Sequence, residues 1–267
     1  YADLRRYNTI VMPSGYADLN GSMREALITW VSQGGTLIAH NRSARLIASS
    51  EDFGKVKLLQ NTFGNSLDYN FDLLKEMAAS DNDINKNKTL AHGLDLDITY
   101  PWESIEELMS EEDLQNRDKW QSIFMPSGSM VSGRVDQKHW LTFGTPSTLP
   151  ILYANYPILM THDNTEAVVR IGELVSNDEI KDFRMINWSS IPPGKDINVR
   201  MSGLVWPEAA QRIANSAYLT RERMGRGQII LFAGEPNFRG STRGTNRLWL
   251  NALIYGAGLG ASSKINL

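Results

Sequence analysis

The sequence predicts an α/β protein built on a mostly parallel sheet, and three observations point to it. A strand, a helix and a second strand follow one another within residues 7–40. A continuous apolar run at 228–233 precedes another helical pattern. Strands and helices that alternate through short connections give parallel strands with right-handed crossovers. The chain has 267 residues, 42% of them hydrophobic, which is enough for one large buried core.

The N-terminal unit has the clearest signals. Residues 7–13 predict an apolar strand, and Ser22 with Glu25 gives the S-x-x-E capping pattern of a helix start. Gly34-Gly35 ends this helix, because glycine tolerates the left-handed conformation beyond a helix end. Residues 36–40 predict the second strand. One helix face carries apolar residues at helical spacing, namely Met23, Ala26, Leu27, Trp30 and Val31.

The C-terminal unit repeats this arrangement. The run at 228–233 is apolar without interruption, which is typical of a strand covered on both faces. A polar loop occupies 234–240, and the following helix is predicted to reach residue 255. The glycines of 256–260 end it.

The middle of the chain is less regular. Residues 67–79 have a helical pattern, and the acidic stretch 103–119 predicts a solvated helix face, with docking to a basic partner as the alternative. We expect one domain with a core at roughly 1–66 and 200–260 and a β-rich insertion or lid at roughly 67–199. Short β-like runs broken by Pro and Gly mark the insertion, at 122–125, 130–135, 151–153, 167–171 and 184–188.

Composition excludes several kinds of function. The absence of cysteine excludes disulfides, thiolate–metal sites and a cysteine nucleophile. A net charge of −3 gives no electrostatic basis for nucleic-acid binding. No apolar run approaches the ~20 residues of a membrane span, and no signal peptide opens the chain. Because Tyr1 lies close to the first strand, we expect the chain to be part of a longer polypeptide.

Polar residues follow the second predicted strand. In open parallel sheets ligands bind beyond the carboxyl ends of the strands, and a strand that turns directly into a helix has the geometry of a nucleophile elbow. The turn holds His40, Asn41, Arg42 and Ser43, without a G-x-S-x-G motif. We favour His40 and Arg42 as polar residues that satisfy the loop and the helix start. A hydrolase with Ser43 or His40 as nucleophile is the alternative.

The loop after the C-terminal strand holds a second polar group. Glu235, Asn237, Arg239 and Arg243 lie between that strand and the last helix. Arginines beside a helix N-terminus can bind a carboxylate or phosphate through the guanidinium fork. We favour a structural interpretation, in which Arg239 caps carbonyls or pairs with Glu235 and fixes the loop against the sheet.

The four histidines give no metal-binding motif. His40, His92, His139 and His162 have neither H-E-x-x-H nor H-x-x-E spacing. His92 and Asp95 form an H-x-x-D pattern in a predicted loop, where an unpaired pattern is more often solvated than functional. We therefore predict no metal on this chain.

An ordered set of segments resembles a known family. Residues 7–15 and 30–39 resemble the opening of a class I glutamine amidotransferase-like domain. Further segments follow over nearly the whole chain, at 139–144, 201–208, 225–233, 236–240 and 244–248. In this order they resemble the C-terminal domain of large bacterial zinc carboxypeptidases of the carboxypeptidase A-like family. The resemblance implies a flavodoxin-like, mostly parallel sheet with a β-rich insertion.

The resemblance also implies where the chemistry of such a protein lies. In that family an upstream peptidase domain binds one zinc through an H-x-x-E pair and a later histidine, and none of these residues can be placed here. An amidotransferase-like domain implies a Cys–His–Glu triad. This chain departs from it, because it has no cysteine, reads His40-Asn41-Arg42 at the elbow, and has Glu235 without the expected histidine beside it.

The implied role is that of a non-catalytic accessory domain of a secreted or periplasmic zinc carboxypeptidase. Its partner would be the upstream peptidase domain of the same polypeptide, and zinc is implied only there. Such a domain would support the peptidase domain or bind part of a peptide or cell-wall substrate near Arg42 and Arg239. An independent module that binds a glycan or a cell-wall peptide is the alternative.

Overall fold

The structure is a computed structural model that describes residues 3–15, 18–80 and 110–261, without the side chains of 78–80. Its helices are α1 (Gly21–Ser32), α2 (Arg42–Ala48), α3 (Ser66–Ser80), α4 (Glu111–Ser122), α5 (Pro207–Ile213) and α6 (Arg243–Tyr255). Its strands are β1 (Thr9–Met12), β2 (Thr36–His40), β3 (Lys57–Leu58), β4 (Ser127–Val135), β5 (Thr148–Ala154), β6 (Leu159–Met160), β7 (Thr165–Ile171), β8 (Glu173–Ser176), β9 (Arg184–Ile186), β10 (Ser189–Ile191), β11 (Lys195–Asn198), β12 (Arg200–Ser202), β13 (Ala217–Met224) and β14 (Gly227–Phe232).

Ten of the described strands form one mixed sheet. Its main order is β1-β2-β14-β13-β7-β4-β12, with β5 beside β4 and the short β3 and β6 attached through β13. Strands β1, β2 and β14 are parallel, so that Ile38 of β2 faces Val11 on one side and Ile230 on the other. The other described pairs in the sheet are antiparallel. The predicted α/β class is therefore confirmed at the level of a large mixed sheet with helices.

The expected mostly parallel sheet is wrong for the part of the chain that the structure describes. Only the three strands β1, β2 and β14 pair in parallel. Strands β13 and β14 show the reason, because only Gly225 and Arg226 separate them and a two-residue connection forces an antiparallel hairpin. Gly225 has φ 60°, the left-handed conformation that such a turn requires.

The strands expected as an insertion extend the same sheet. Strand β7 pairs with β13 on one side and with β4 on the other. Two further ladders, β9–β10 and β8–β11, lie outside this sheet. The predicted strand at 122–125 is instead the last residue of α4 and the turn after it. The division of the chain into a core and an insertion stays a prediction.

The N-terminal unit folds as predicted, except at the helix start. Every residue of β2 and β14 is buried, because both strands are paired on two sides and covered on both faces. Helix α1 packs against β14 through Leu27, Trp30 and Val31. Its N-cap is Asn20, whose Oδ1 accepts the Met23 N–H at 2.8 Å. Within the described ranges, no helix has the length and apolar character needed to cross a membrane.

Candidate functional site

The turn from β2 into α2 has the backbone conformation of an elbow. Asn41 lies between the strand and the helix with φ 52° and ψ −115°, a region that residues other than glycine rarely adopt. Its N–H donates to the Phe232 carbonyl at 3.0 Å, which ties the turn to the neighbouring strand β14. The residue at the apex of the turn is therefore Asn41, a residue without a nucleophilic side chain.

Glu235 joins the ends of β2 and β14. The two strands are parallel neighbours, and Phe232 lies opposite His40, so their carboxyl ends meet at one edge of the sheet. Glu235 Oε1 accepts a hydrogen bond from Asn41 Nδ2 at 3.0 Å. Glu235 Oε2 lies 2.9 Å from His40 Nδ1. Three residues proposed from sequence, His40, Asn41 and Glu235, thus form one cluster.

Burial controls the charge of His40. The imidazole is buried, and burial lowers its pKa from the ordinary value, whereas the neighbouring Glu235 carboxylate opposes this shift. We therefore expect a neutral imidazole at pH 7. Its ring meets the edge of the Trp249 indole, at 5.4 Å between ring centroids.

Tyr156 forms another wall of the site. Burial raises the pKa of its phenol, while a hydrogen bond from the Glu235 backbone opposes the rise. A Cβ atom on Gly234 would lie 2.3 Å from the Tyr156 ring, so this close approach requires glycine. A cavity of about 190 Å³ lies beside Tyr156 and is also lined by Arg45 of α2 and Arg212 of α5.

The other predicted site residues lie apart from the Glu235 carboxylate. Ser43 is fully buried and its hydroxyl donates to the Pro13 carbonyl at 2.6 Å, so it is committed to holding the β1 end. Arg239 has φ 51° and lies over the Phe238 ring at 5.0 Å; it does not pair with Glu235. The remaining candidates are exposed, namely Arg42, Asn237 and Arg243.

Sequence reasoning missed two members of this site, Tyr156 and Trp249. Tyr156 belongs to the aromatic segment 153–156, whose residue types occur both in packed interiors and in binding surfaces. Trp249 lies on the helix predicted after the C-terminal strand, where the residue type alone does not separate core packing from a place in a site. Only the fold brings these rings to the ends of β2 and β14.

The described cluster can bind but carries no evident covalent chemistry. His40, Asn41, Glu235 and Tyr156 offer hydrogen-bond donors and acceptors, whereas a hydrolase of the elbow type needs a nucleophile at the apex. Among residues 3–15, 18–80 and 110–261, no group of three or more His, Cys, Asp or Glu side chains could hold a metal ion. His92 and Asp95 lie outside the described residues.

No protein-family model matches the chain, and no curated protein matches it significantly. Three solved structures are similar to it. A beta-galactosidase from Bacillus circulans sp. alkalophilus has 13% identity and a TM-score of 0.39 over 96% of this chain and 23% of that chain, so this chain spans less than a quarter of that enzyme.

The other two solved structures are of more similar length. A cytoplasmic protein from Salmonella typhimurium has 15% identity and a TM-score of 0.41, over 94% of this chain and 72% of that chain. A thua-like protein from Bacteroides uniformis has 11% identity and a TM-score of 0.40, over 94% of this chain and 69% of that chain. At these TM-scores the similarities assign neither a fold family nor a function to this chain.

Proposed function

We propose that this chain is a non-catalytic accessory domain of a longer, secreted or periplasmic zinc carboxypeptidase. Its role is to support the upstream peptidase domain or the binding of that domain's substrate. The resemblance of residues 139–144, 201–208 and 225–233 to that family supports this role. The observation that carries the non-catalytic part is Asn41 at the apex of the elbow, where an amidotransferase-like enzyme needs a nucleophile.

A flavodoxin-like, amidotransferase-like arrangement of β1, β2 and β14 is part of the same proposal, within a sheet whose other described pairs are antiparallel. Three features support it: the parallel pairing of β1, β2 and β14, the elbow at Asn41, and a glutamate at the end of β14. Glu235 then serves structure, because it holds the strained Asn41 turn through the amide Nδ2 and contacts a neutral His40.

Assays of the purified chain test the absence of catalysis. We expect no release of C-terminal residues from peptides, no ammonia from glutamine and no stoichiometric zinc by elemental analysis. An Asn41→Cys variant places a thiol at the apex and is the matched probe of whether a nucleophile is what this turn lacks. Peptide or glutamine hydrolysis by the native chain, or one tightly held zinc, would overturn the proposal.

The full reading frame tests the accessory role. An H-x-x-E pair and a distal histidine upstream of Tyr1 are expected in the same polypeptide. The full polypeptide should cleave C-terminal residues, and removal of residues 1–267 should lower its kcat/KM or its stability. A reading frame without an upstream zinc motif contradicts this role.

An independent glycan- or cell-wall-peptide-binding module is the second candidate function, favoured by an exposed aromatic cluster. Trp120 and Trp206 are 58% and 49% exposed, and Phe124 lies between them at 5.2 and 6.1 Å between ring centroids. Exposed aromatic rings are typical of binding surfaces.

Pull-down on cell-wall material tests this second function. Native chain should be retained by muropeptides or glycan, Trp206→Ala should lose retention, and the control Ile254→Ala, at another exposed apolar position, should keep it. Equal retention of the native chain and Trp206→Ala, or no retention of either, would exclude this surface.

A further inference from the structure

A second cavity, of about 680 Å³, is lined by residues of α3, β4, β7 and the loops beside them. Its volume lies in the range of about 300–1,000 Å³ that small-molecule sites occupy. No residue of the elbow cluster lines it. Its lining is unusually charged, with five carboxylate and four basic side chains besides His162. The elbow site makes no use of these groups.

Two arginines lie directly opposite each other at one end of this cavity. The antiparallel register of β4 and β7 pairs Arg134 with Arg170, an arrangement that is unfavourable unless an anion intervenes. Glu76 of α3 supplies one carboxylate, which accepts from Arg170 Nε and Nη2 at 2.6 and 2.7 Å. The Asn215 carbonyl also accepts from Arg170 Nη1, so Arg170 is fully engaged.

Arg134 has only neutral hydrogen-bond partners in the part of the chain that the structure describes. Its Nη1 donates to the Gly172 carbonyl at 3.1 Å and its Nη2 to Asn215 Oδ1 at 3.2 Å. Burial, and then the charge of Arg170, lower its pKa to about 10, so that it stays protonated at neutral pH. Two guanidinium groups thus share the single carboxylate of Glu76, and one positive charge lacks a counterion.

The acidic lining residues divide into ion-paired side chains and solvent-exposed side chains. Asp72 pairs with Lys75 at 2.9 Å and contacts His162 Nδ1 at 2.8 Å. Glu166 pairs with Arg221 at 3.1 Å. Two others are exposed to solvent: Asp163, whose side chain is 59% exposed and whose Oδ1 lies 3.4 Å from His162 Nε2, and Asp136, whose Oδ1 accepts the Lys138 N–H at 2.9 Å. The cavity therefore has a positive charge at Arg134 and solvent-exposed carboxylates at Asp136 and Asp163, beside the exposed Lys75 and Lys138.

We propose that this cavity binds a zwitterionic small molecule of amino-acid or short-peptide size. Its carboxylate would lie against the Arg134 guanidinium, whose planar fork matches a carboxylate in geometry. Its ammonium group would face Asp136 and Asp163. A dianion such as phosphate fits less well, because acidic side chains outnumber basic ones in the lining. The site rests on this cavity alone and does not depend on the accessory role proposed above.

Isothermal titration of the whole chain with L-alanyl-L-alanine tests the proposal, with sodium acetate and inorganic phosphate in parallel. We expect the dipeptide to bind more tightly than acetate, and acetate more tightly than phosphate. Arg134→Gln should weaken dipeptide binding about tenfold or more, because a charge-assisted hydrogen bond is lost. Arg5→Gln, at an exposed position beside the opposite edge strand, is the matched control and should leave the affinity unchanged.

Asp163→Asn keeps the test decisive if Arg134→Gln fails to fold. Asp163 has φ 57°, a conformation that asparagine also adopts readily, so this variant removes the charge without straining the turn. It should weaken dipeptide binding severalfold and leave acetate binding unchanged. The proposal is overturned if the dipeptide does not bind, if phosphate binds more tightly than the dipeptide, or if Asp163→Asn leaves dipeptide binding unchanged.

Discussion

Asn41 combines a strained backbone conformation with two hydrogen bonds that hold the elbow. Its backbone has positive φ, its N–H bonds to Phe232 and its side chain bonds to Glu235. Asparagine tolerates positive φ better than most residues because its short side chain forms local hydrogen bonds. The Asn41 side-chain amide therefore has a structural role, because it holds the turn in place. This agrees with the non-catalytic role that we propose.

The strain at Asn41 predicts the relative stability of two variants. Both Asn41→Gly and Asn41→Ala lose the hydrogen bond to Glu235. Of the two variants, only the alanine one keeps a Cβ atom at positive φ. We expect Asn41→Ala to be less stable than Asn41→Gly by about 1–2 kcal/mol in urea unfolding. The same pair at the exposed Asn237, where φ is −119°, is the control and should show alanine at least as stable. Equal stability of the two Asn41 variants would argue against strain.

Glu222 is a buried carboxyl group outside the elbow. Its Oε2 accepts the Lys55 N–H at 2.7 Å, and its buried Oε1 has no hydrogen-bond partner in the described structure. Burial raises the pKa of this carboxyl above its ordinary value, against the opposing backbone hydrogen bonds. The folded state therefore holds the proton to higher pH than the unfolded state, and stability falls as pH rises from about 4.5 through the folded pKa.

Glu222→Gln should remove this loss of stability. The amide keeps an acceptor for the Lys55 N–H and carries no charge, so at pH 8 we expect the variant to be more stable than the native chain. Near pH 4 the advantage should vanish. Urea unfolding at pH 8 and near pH 4 measures the stability difference between the variant and the native chain. Glu25→Gln, at an exposed position, is the control. An advantage of the same size at both pH values would contradict a titration of Glu222.

Sequence reasoning identified part of the candidate site, namely His40, Asn41 and Glu235. It selected His40 and Glu235 because polar residues after parallel strands meet at one sheet edge. It expected Arg239 to cap carbonyls or to pair with Glu235, but Glu235 contacts Asn41 and His40 instead. Residue type gave no means to choose among these partners, because the choice depends on the register of β2 and β14.

Helix α1 shows how a local motif is overridden by a neighbouring residue. The S-x-x-E pattern placed the helix start at Ser22, but the helix begins at Gly21 with Asn20 as its N-cap. Asparagine caps as well as serine does, and the Ser22 hydroxyl donates to Asn20 Oδ1 at 3.0 Å. The position of the first helical turn therefore depends on Asn20.

Two alanine variants separate the cap from the motif. Asn20→Ala should lower the free energy of unfolding by about 1 kcal/mol, because the Met23 N–H loses its acceptor. Ser22→Ala should cost less than about 0.5 kcal/mol, since its hydroxyl serves only the cap side chain. Chemical denaturation of both variants checks this. If Ser22→Ala lowered the free energy of unfolding more than Asn20→Ala does, Ser22 and not Asn20 would be the N-cap.

The acidic helix α4 was only partly foreseen. Its sequence predicted a solvated face, and its first turn is indeed acidic with Ser110 as N-cap. Asp118, however, is buried and binds Arg212 of α5 through two contacts, at 2.7 and 3.1 Å. Residues 103–109 of the predicted acidic stretch lie outside the described residues. An ion pair between residues 94 positions apart cannot be predicted from a local sequence pattern.

At the scale of the whole molecule, the pair of Asp118 and Arg212 joins two distant segments and predicts a strong coupling. Both side chains are only about 11–12% exposed. Asp118→Asn should destabilise the chain by about 2–4 kcal/mol, because it leaves a nearly buried charge unpaired. The double variant Asp118→Leu/Arg212→Leu should recover most of this loss. A double-mutant cycle measured by urea unfolding tests this coupling. If the effects of the two single variants simply added, the pair would not be coupled.

The sequence by itself determined the elements that depend on short-range patterns, and tertiary structure decided how they assemble. Apolar periodicity and glycine positions predicted β2, α1, β14 and α6, because a buried strand or helix face must be apolar wherever it packs. The mixed sheet, the joining of β7 to β13 and the cluster around Glu235 follow from pairings between distant residues. Such pairings depend on register and connection length, and many strands of similar composition could satisfy them. Tertiary packing therefore selected the antiparallel partners that are distant in sequence and brought Glu235 to the side chain of Asn41.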